Sequence, residues 1–241
     1  MNDIILLKLG EIVLKGLNRR SFEQKLTANV RRRLAPIGKF RVYCLQSIIY
    51  VEGEDGADMD TAFEALKKVF GVISLTRAAA CEKDKDAIAK LAIEYLREDM
   101  LRAKSFKVET RRSDKAFPMT SIELSQYVGN ALSDAYEDIE VDVHDPELVV
   151  HIEVRDLAAY VHAMPVHGAG GLPVGCSGTA VTLLSGGIDS PVSTYMIAKR
   201  GVHLIPVHFF SFPYTSKQAK DKVIELGRLL TEYCGKMTME V

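Results

Sequence analysis

The stretch Val181-Thr182-Leu183-Leu184-Ser185-Gly186-Gly187-Ile188-Asp189-Ser190-Pro191 reads as a buried strand, a tight turn and a helix start. Thr179 to Leu184 is short, apolar and β-branched, which suits a strand inside a parallel sheet. Gly186 and Gly187 allow a sharp turn and leave no Cβ in the way of a ligand. Ser190 is a good N-cap and Pro191 a good first helical residue, with Val192, Tyr195, Met196 and the stem of Lys199 following at helical spacing. A helix N-terminus at the end of a strand presents unpaired N–H groups and partial positive charge, a place for an anion and most often a phosphate. The loop lacks the GxxxxGK[ST] pattern, so no lysine within it reaches the outer phosphates. A carboxylate, Asp189, stands there instead. It repels bare phosphate unless a divalent cation intervenes, which makes it the candidate Mg²⁺ ligand.

The SGGxDS pattern of Ser185–Ser190 resembles the pyrophosphate loop of the ATP pyrophosphatase family, whose members cleave ATP between the α and β phosphates. A glycine-rich turn without a ligand is the alternative. The segments after the loop continue the α/β pattern: a helix to Arg200, a strand Val202 to His208, a helix Lys217 to Tyr233 and a strand from Lys236. Successive βα units predict a parallel, doubly wound sheet with its ligand site at the carboxyl ends of the strands. Leu183-Leu184 and His208-Phe209 sit at such ends, flanking a base or ribose; a satisfied polar residue at a strand end is the other reading of His208.

Before the loop, residues 167–178 hold Gly168, Gly170, Gly171, Gly175, Gly178 and Pro173, the composition of a mobile or irregular connection. Further upstream the spacing predicts a βαββαβ unit. Its elements are a strand Ile4–Leu9 and a helix capped by Asn18 with the stripe Phe22, Leu26, Val30 and Leu34. Strands Phe40–Leu45 and Ile48–Val51, a helix Asp58–Val69 and a strand Val72–Ala80 complete it. A helix Asp84–Met100, a strand Ser105–Thr110 and an exposed loop Arg111–Pro118 follow. After them come a helix opened by a Thr120/Glu123 capping box and paired strands Leu148–Val154 and Ala158–Ala163.

With 241 residues, 47% hydrophobic and 26% charged, the chain has a soluble globular composition with room for one to three domains. No apolar run is long enough to span a bilayer and no signal peptide is seen, so a cytoplasmic protein is expected. Cys44, Cys81, Cys176 and Cys234 are widely spaced and form neither CxxC nor zinc patterns; free thiols are the plain reading. The net charge of −1 hides an uneven distribution. Residues 1–33 carry eight basic groups against three acidic, and residues 101–117 carry six against two, on an otherwise acidic chain. Two basic segments suggest a localised polyanion footprint. Arg31-Arg32-Arg33 falls in the last turn of its helix, where it either complements the helix dipole or contacts RNA.

Several stretches together resemble the tRNA 4-thiouridine synthetase (tRNA sulfurtransferase) family. They are Lys8-Leu9-Gly10-Glu11-Ile12 with Lys15-Gly16, Arg111 to Pro118, Gly170-Gly171-Leu172-Pro173-Val174-Gly175, and Leu183 to Pro191. The resemblance implies an α/β and α+β multidomain fold. A ferredoxin-like unit (1–75) comes first, overlapping a THUMP RNA-binding domain (61–165). A linker (166–178) leads to the start of a PP-loop domain (179–241), a doubly wound parallel sheet of the adenine nucleotide alpha hydrolase-like kind. It implies ATP and Mg²⁺, with Leu183, Leu184, Ser185, Gly186, Gly187, Asp189, Ser190, His208 and Phe209 at the nucleotide and Asp189 central to catalysis. It implies tRNA contacts at Lys8, Lys15, Arg19, Arg20, Arg111, Arg112, Lys115 and Phe117.

The activity implied is transfer of sulfur to uridine 8 of tRNA through an adenylated uridine. A cysteine desulfurase would supply persulfide, a thiamine-pathway sulfur carrier protein is a second acceptor, and a homodimer is suggested. Against that pattern, Val241 falls in what reads as the third strand of the sheet. Later nucleotide contacts and the sulfur-handling cysteine are therefore expected outside this sequence, and the isolated chain is expected to bind tRNA but turn over poorly. Another PP-loop ligase, or a tRNA-binding module with an inactive nucleotide domain, are the competing readings.

Overall fold

The computed structural model describes residues 3–14, 16–54, 56–211 and 213–240. The candidate tRNA contact Lys15 lies outside the described residues. The first elements are β1 (Asp3–Leu9), α1 (Arg19–Leu34), β2 (Phe40–Leu45), β3 (Ile48–Gly53), α2 (Met59–Lys67) and β4 (Val72–Cys81), in the expected βαββαβ order. Then come α3 (Lys85–Tyr95), α4 (Arg97–Arg102), β5 (Ser105–Arg112), α5 (Ser121–Ala135), β6 (Glu140–Val141), β7 (Leu148–Val154) and β8 (Ala159–His162). The last are β9 (Val166–His167), β10 (Thr179–Leu183), α6 (Asp189–Ala198), β11 (His203–Val207) and α7 (Lys217–Cys234). The single helix expected over Asp84–Met100 is interrupted at Leu96, whose φ/ψ of −94°/13° leaves the α region.

The chain forms two compact units. One comprises Met1–Leu6 with Thr76–Pro165, the other Leu7–Leu75 with Val166–Val241. In the first unit β8 lies between β4 and β7, antiparallel to both, and β7 runs parallel to β5. Helices α3 and α5 pack together over a core that includes Phe106, Leu124, Val128, Leu132, Val150 and Ile152. The Thr120/Glu123 capping box opens α5, with Glu123 N–H donating to Thr120 Oγ1 at 3.2 Å and Thr120 N–H to Glu123 Oε2 at 2.7 Å. One carboxylate of this unit is buried on the face of β7 turned away from that core, beside His162. Glu153, 2% exposed, is held by the Arg155 guanidinium, Nε and Nη2 donating to Oε2 at 2.8 and 2.6 Å. Without such a fork a buried carboxylate would be strongly destabilising.

In the second unit the β2–β3 hairpin turns on Gln46 and Ser47, both at positive φ, which matches the twist of the flanking strands. Helix α1 buries Leu26, Val30 and Leu34 and packs on β2 and α2. Asn18 precedes α1 but makes no side-chain cap bond, unlike Asp58, which accepts from Thr61 N–H at the start of α2.

The glycine-rich segment is irregular, yet hydrogen bonds hold it along most of its length. Val166 and His167 pair with β4, Gly168 and Gly170 N–H donate to Ile73 and Val72 O, and Gly71 N–H donates to Gly170 O. Leu172 N–H then reaches Lys199 O, and Gly175 and Ser177 N–H reach Gly201 O. The glycines permit this close approach. A Cβ at Gly168 would sit 2.4 Å from Val72 O, and one at Gly171, where φ is +75°, 2.4 Å from Lys199 O. A polar, flexible composition has become a strap because its backbone groups found partners far away in sequence.

Strands β10 and β11 pair in parallel, Thr179 opposite His203 through Leu183 opposite Val207. The strand expected from Lys236 is not formed over the described residues; only an isolated parallel bridge joins Glu240 to Val207. Strand β10 is less buried than its composition predicts: Val181 and Leu183 remain 64% and 61% exposed. Alternation along the strand puts Thr182 on the other face, where its hydroxyl meets Thr194 of α6.

Candidate functional site

The loop between β10 and α6 is closed by side chains of its own motif. Ser190 Oγ accepts from Ser185 N–H at 2.9 Å and donates to Ser185 O at 3.1 Å. Ser185 Oγ, 3.0 Å away, is therefore the donor to Ser190 Oγ. Ser190 thus does not cap α6 as its position predicts. Ile188 precedes the helix, with no side-chain cap. Among the described residues, the N–H groups of Gly186 through Ser190 have no hydrogen-bond acceptor. A run of unpaired donors at a helix start is what an anion would satisfy. A buried hydroxyl pair fixes the base of the loop. Thr194, 1% exposed, donates to Ser190 O at 2.7 Å, so Thr182 donates to Thr194 across 2.9 Å.

His208 marks the other side. Its Nδ1 lies 3.0 Å from Leu184 O, and a carbonyl only accepts, so Nδ1 carries the proton. Nε2 is then an acceptor. It is buried and has no partner among the described residues, on a side chain only 9% exposed. Buried polar atoms are nearly always satisfied, so an orphaned acceptor beside an anion-ready loop points to a donor supplied from outside the chain. Phe209, 75% exposed, offers an aromatic face next to it. Leu184 is different: its side chain is buried in the core and its carbonyl is engaged by His208, leaving Leu183 as the exposed member of that pair. Asp189 is exposed in the first turn of α6.

The candidate tRNA contacts divide between the units. Lys8, Arg19 and Arg20 belong to the second, and Arg111, Arg112, Lys115 and Phe117 to the first. Arg20, Arg111 and Lys115 are exposed. Lys8 is half-buried on β1, and Arg19 is ion-paired to Glu23 at 2.8 Å. Phe117 must be withdrawn as a surface contact: it is 5% exposed and packs in the first unit's core. Arg112 is a strand residue, since β5 extends to Arg112. Its Nη1 donates to Phe117 O at 2.7 Å and Met119 O at 2.6 Å, folding the following loop back. Lys83 pins the same loop through Asp114 at 2.6 Å and holds that carboxyl below its usual range.

These roles predict different outcomes. Arg111→Ala is expected to weaken RNA binding and lower the salt slope by about 1 without changing Tm. Arg112→Ala is expected to lower Tm as well, because the carbonyls of Phe117 and Met119 lose their donor; fluorescence anisotropy against salt, with thermal melts, separates the two.

Of the arginine triplet, Arg31 donates to Val42 O at 2.6 Å and Arg33 to Thr231 O at 3.1 Å. Both are engaged by the protein, and burial lowers the pKa of Arg33. Burial also pushes the thiols of Cys44, Cys81 and Cys234 up to about 11, so at neutral pH they are poor nucleophiles.

Sequence reasoning missed two participants. Phe70, from the βαββαβ part, is 1% exposed inside the core formed with Leu184, Ala198, Leu204, Val223 and Leu230. Lys222 of α7 lays its stem against the loop: its Cδ is 3.5 Å from where a Cβ on Gly186 would be. The first had no local signal. The second had one, in the lysines that gather at the start of α7.

A ferredoxin-like βαββαβ unit, a THUMP domain and the opening βα units of a PP-loop domain define a THUMP-bearing PP-loop protein. Comparison with known proteins agrees along the chain. The ThiI ferredoxin-like domain matches residues 4–76, the THUMP domain residues 82–162, and the model described as Thiamine biosynthesis protein (ThiI) residues 175–241. The "Probable tRNA sulfurtransferase" of Alkaliphilus oremlandii (strain OhILAs) is 44% identical over 238 residues, 98% of this chain and 60% of that protein. That of Acetivibrio thermocellus is 42% identical over 244 residues, 100% of this chain and 62% of that protein. The crystal structure of a 4-thiouridine synthetase–RNA complex with bound ATP superposes with a TM-score of 0.87 at 31% identity, covering 98% of this chain and 60% of that one. A structure from Pyrococcus horikoshii Ot3 gives 0.86 at 25% identity, covering 99% and 79%. The chain belongs to the tRNA sulfurtransferase (ThiI) family. It spans about three-fifths of the length of the curated relatives it matches.

Proposed function

We propose that this chain carries the RNA-binding and nucleotide-gripping parts of a tRNA sulfurtransferase that converts uridine 8 of tRNA to 4-thiouridine. The observation that carries the reading is the pairing of the loop's unsatisfied N–H groups with the orphaned Nε2 of His208. In the reaction proposed, O4 of uridine attacks the α phosphorus of ATP and pyrophosphate leaves. The outer sulfur of a persulfide brought by a cysteine desulfurase then attacks C4 and AMP departs; a thiol next attacks the inner sulfur of the resulting C4–S–S linkage, releasing 4-thiouridine and leaving a disulfide for an external thiol to reduce. The N–H groups of Gly186 to Ser190 hold the diphosphate as charge gathers on it. His208 Nε2 accepts from the nucleoside, and Phe209 lies against the base.

Among the described residues no three His, Cys, Asp or Glu side chains gather into a metal site. A single exposed carboxylate, Asp189, still suits Mg²⁺, which is commonly held by one carboxylate together with substrate phosphates. Bound there, the ion would neutralise the leaving diphosphate. The raised pKa values of the Cys44, Cys81 and Cys234 thiols accord with sulfur arriving from a partner. Arg111, Lys115, Arg20 and Lys8 meet the tRNA backbone in this reading. A cytoplasmic location, a homodimer and sulfur delivery to a thiamine-pathway carrier protein are extensions of the same family reading.

ATP–pyrophosphate exchange measured with and without tRNA tests the proposal. Exchange that requires tRNA is expected. Exchange driven by a small amide acceptor would instead indicate another PP-loop ligase, and none under any condition would leave a tRNA-binding module.

A further inference from the structure

The loop's own sequence contains no lysine, and its one charged side chain is the acidic Asp189. An ATP tail gripped only by N–H groups and one Mg²⁺ would keep uncompensated negative charge. The fold supplies a cation from elsewhere. Helix α7 runs past the loop so that the aliphatic stem of Lys222 lies over Gly186, with Cδ 3.5 Å from the place of the absent Cβ. The ammonium lies beyond that Cδ. Lys222 is exposed, and it makes no ion pair among the described residues.

A second observation points the same way. The N-terminus of α7 carries Lys217 and Lys220 in its first turn and no acidic residue there. Helix α1 opens in the same way on Arg19 and Arg20, so this start is not peculiar to α7, but it adds positive charge to the segment that carries Lys222.

We infer that Lys222 is the phosphate-binding cation of this site, contacting the outer phosphates of ATP and then the pyrophosphate product. The assignment rests on the nucleotide-loop reading above and deepens it. It explains how a loop without a lysine of its own can hold a triphosphate: the ammonium enters from α7, across Gly186. A Cβ at position 186 would meet the stem of Lys222 at ordinary van der Waals distance. The assignment also makes a selectivity claim. AMP, which lacks the outer phosphates, does not engage Lys222.

The test is calorimetric titration of the protein with ATP, AMP and inorganic pyrophosphate in Mg²⁺, using Lys222→Met, which keeps the stem, and Lys222→Arg, which keeps the charge. Lys222→Met is expected to weaken ATP and pyrophosphate roughly ten- to a hundredfold, the loss of one charge-assisted contact, and AMP by less than about twofold. Lys222→Arg is expected to recover most of the loss. Unchanged ATP affinity in Lys222→Met would overturn the assignment. So would equal losses for ATP and AMP, which would show a disturbed loop. If the wild-type protein itself takes up no ATP, the nucleotide reading has failed and the assignment falls with it, a result distinct from either of those.

Discussion

Replacing Asp189 by alanine is expected to reverse the metal dependence of ATP binding. In Mg²⁺ the variant should bind ATP about a hundredfold or more weaker than wild type, the loss of a carboxylate that anchors a charge-neutralising ion. In a chelator it should bind equally well or better. Asp189 is exposed in the first turn of α6, close to where the triphosphate would lie, and without a cation it only repels phosphate. A merely structural Asp189 makes another pattern. An acidic residue at a helix start stabilises the helix by about 0.3–1 kcal/mol, so its removal would lower Tm slightly and change ATP binding equally with and without Mg²⁺. Equal losses under both conditions would therefore remove Asp189 as the metal ligand. RNA affinity should stay at the wild-type value, since the exposed basic residues are untouched.

Phe70→Ala should cost about 3–5 kcal/mol of stability, the usual penalty for emptying an aromatic site in a close-packed core. Against a typical domain stability of about 5–15 kcal/mol, that would leave the second unit close to unfolding. Phe70 immediately follows the last turn of the βαββαβ unit's second helix, yet its ring packs edge-on to Tyr195 of α6 at 5.1 Å and tilted to Tyr233 of α7 at 6.0 Å. Tyr195 and Tyr233 meet each other at 5.1 Å, completing a three-ring cluster. Around it, Arg33 donates to Thr231 O, Asn29 to Val174 O, and Lys68 pairs with Glu232. The ion pair is about 40% exposed on both sides, so solvent screens it and it adds little. The aromatic cluster is thus the dominant contact. Denaturant unfolding of Phe70→Ala and Phe70→Leu would show it, the leucine variant recovering part of the loss. A change below about 1 kcal/mol for alanine would mean that the βαββαβ part and the nucleotide-loop part fold independently of one another.

Much of this was legible in the sequence because it is local. The βαββαβ order follows from apolar spacing that each segment carries by itself, as with Leu26, Val30 and Leu34 on one face of α1. The Thr120/Glu123 box is complete within four residues and formed as read. Ser185 to Ser190 announced a strand-to-helix turn with free donors, and the turn formed there.

Where the reading went astray, a competing hydrogen bond five to seven residues away had displaced the expected role. Ser190 was a plausible cap, but its hydroxyl found both backbone groups of Ser185 first. Phe117 lay in a charged, proline-marked stretch, yet Arg112 folds that stretch back and buries the ring.

By itself, then, the sequence determined the elements, their order, the parallel pairing around the loop and the kind of ligand such a loop favours, since each depends on residues within a turn or two of one another. Only the tertiary structure decided that the glycine-rich stretch is a strap, that Phe70 serves a core more than a hundred residues further along the chain, and that Lys222 lies across Gly186. Those contacts join groups whose separation leaves no periodicity or motif to read. They exist because burial and hydrogen-bond satisfaction are met over the whole folded chain rather than within any window of it.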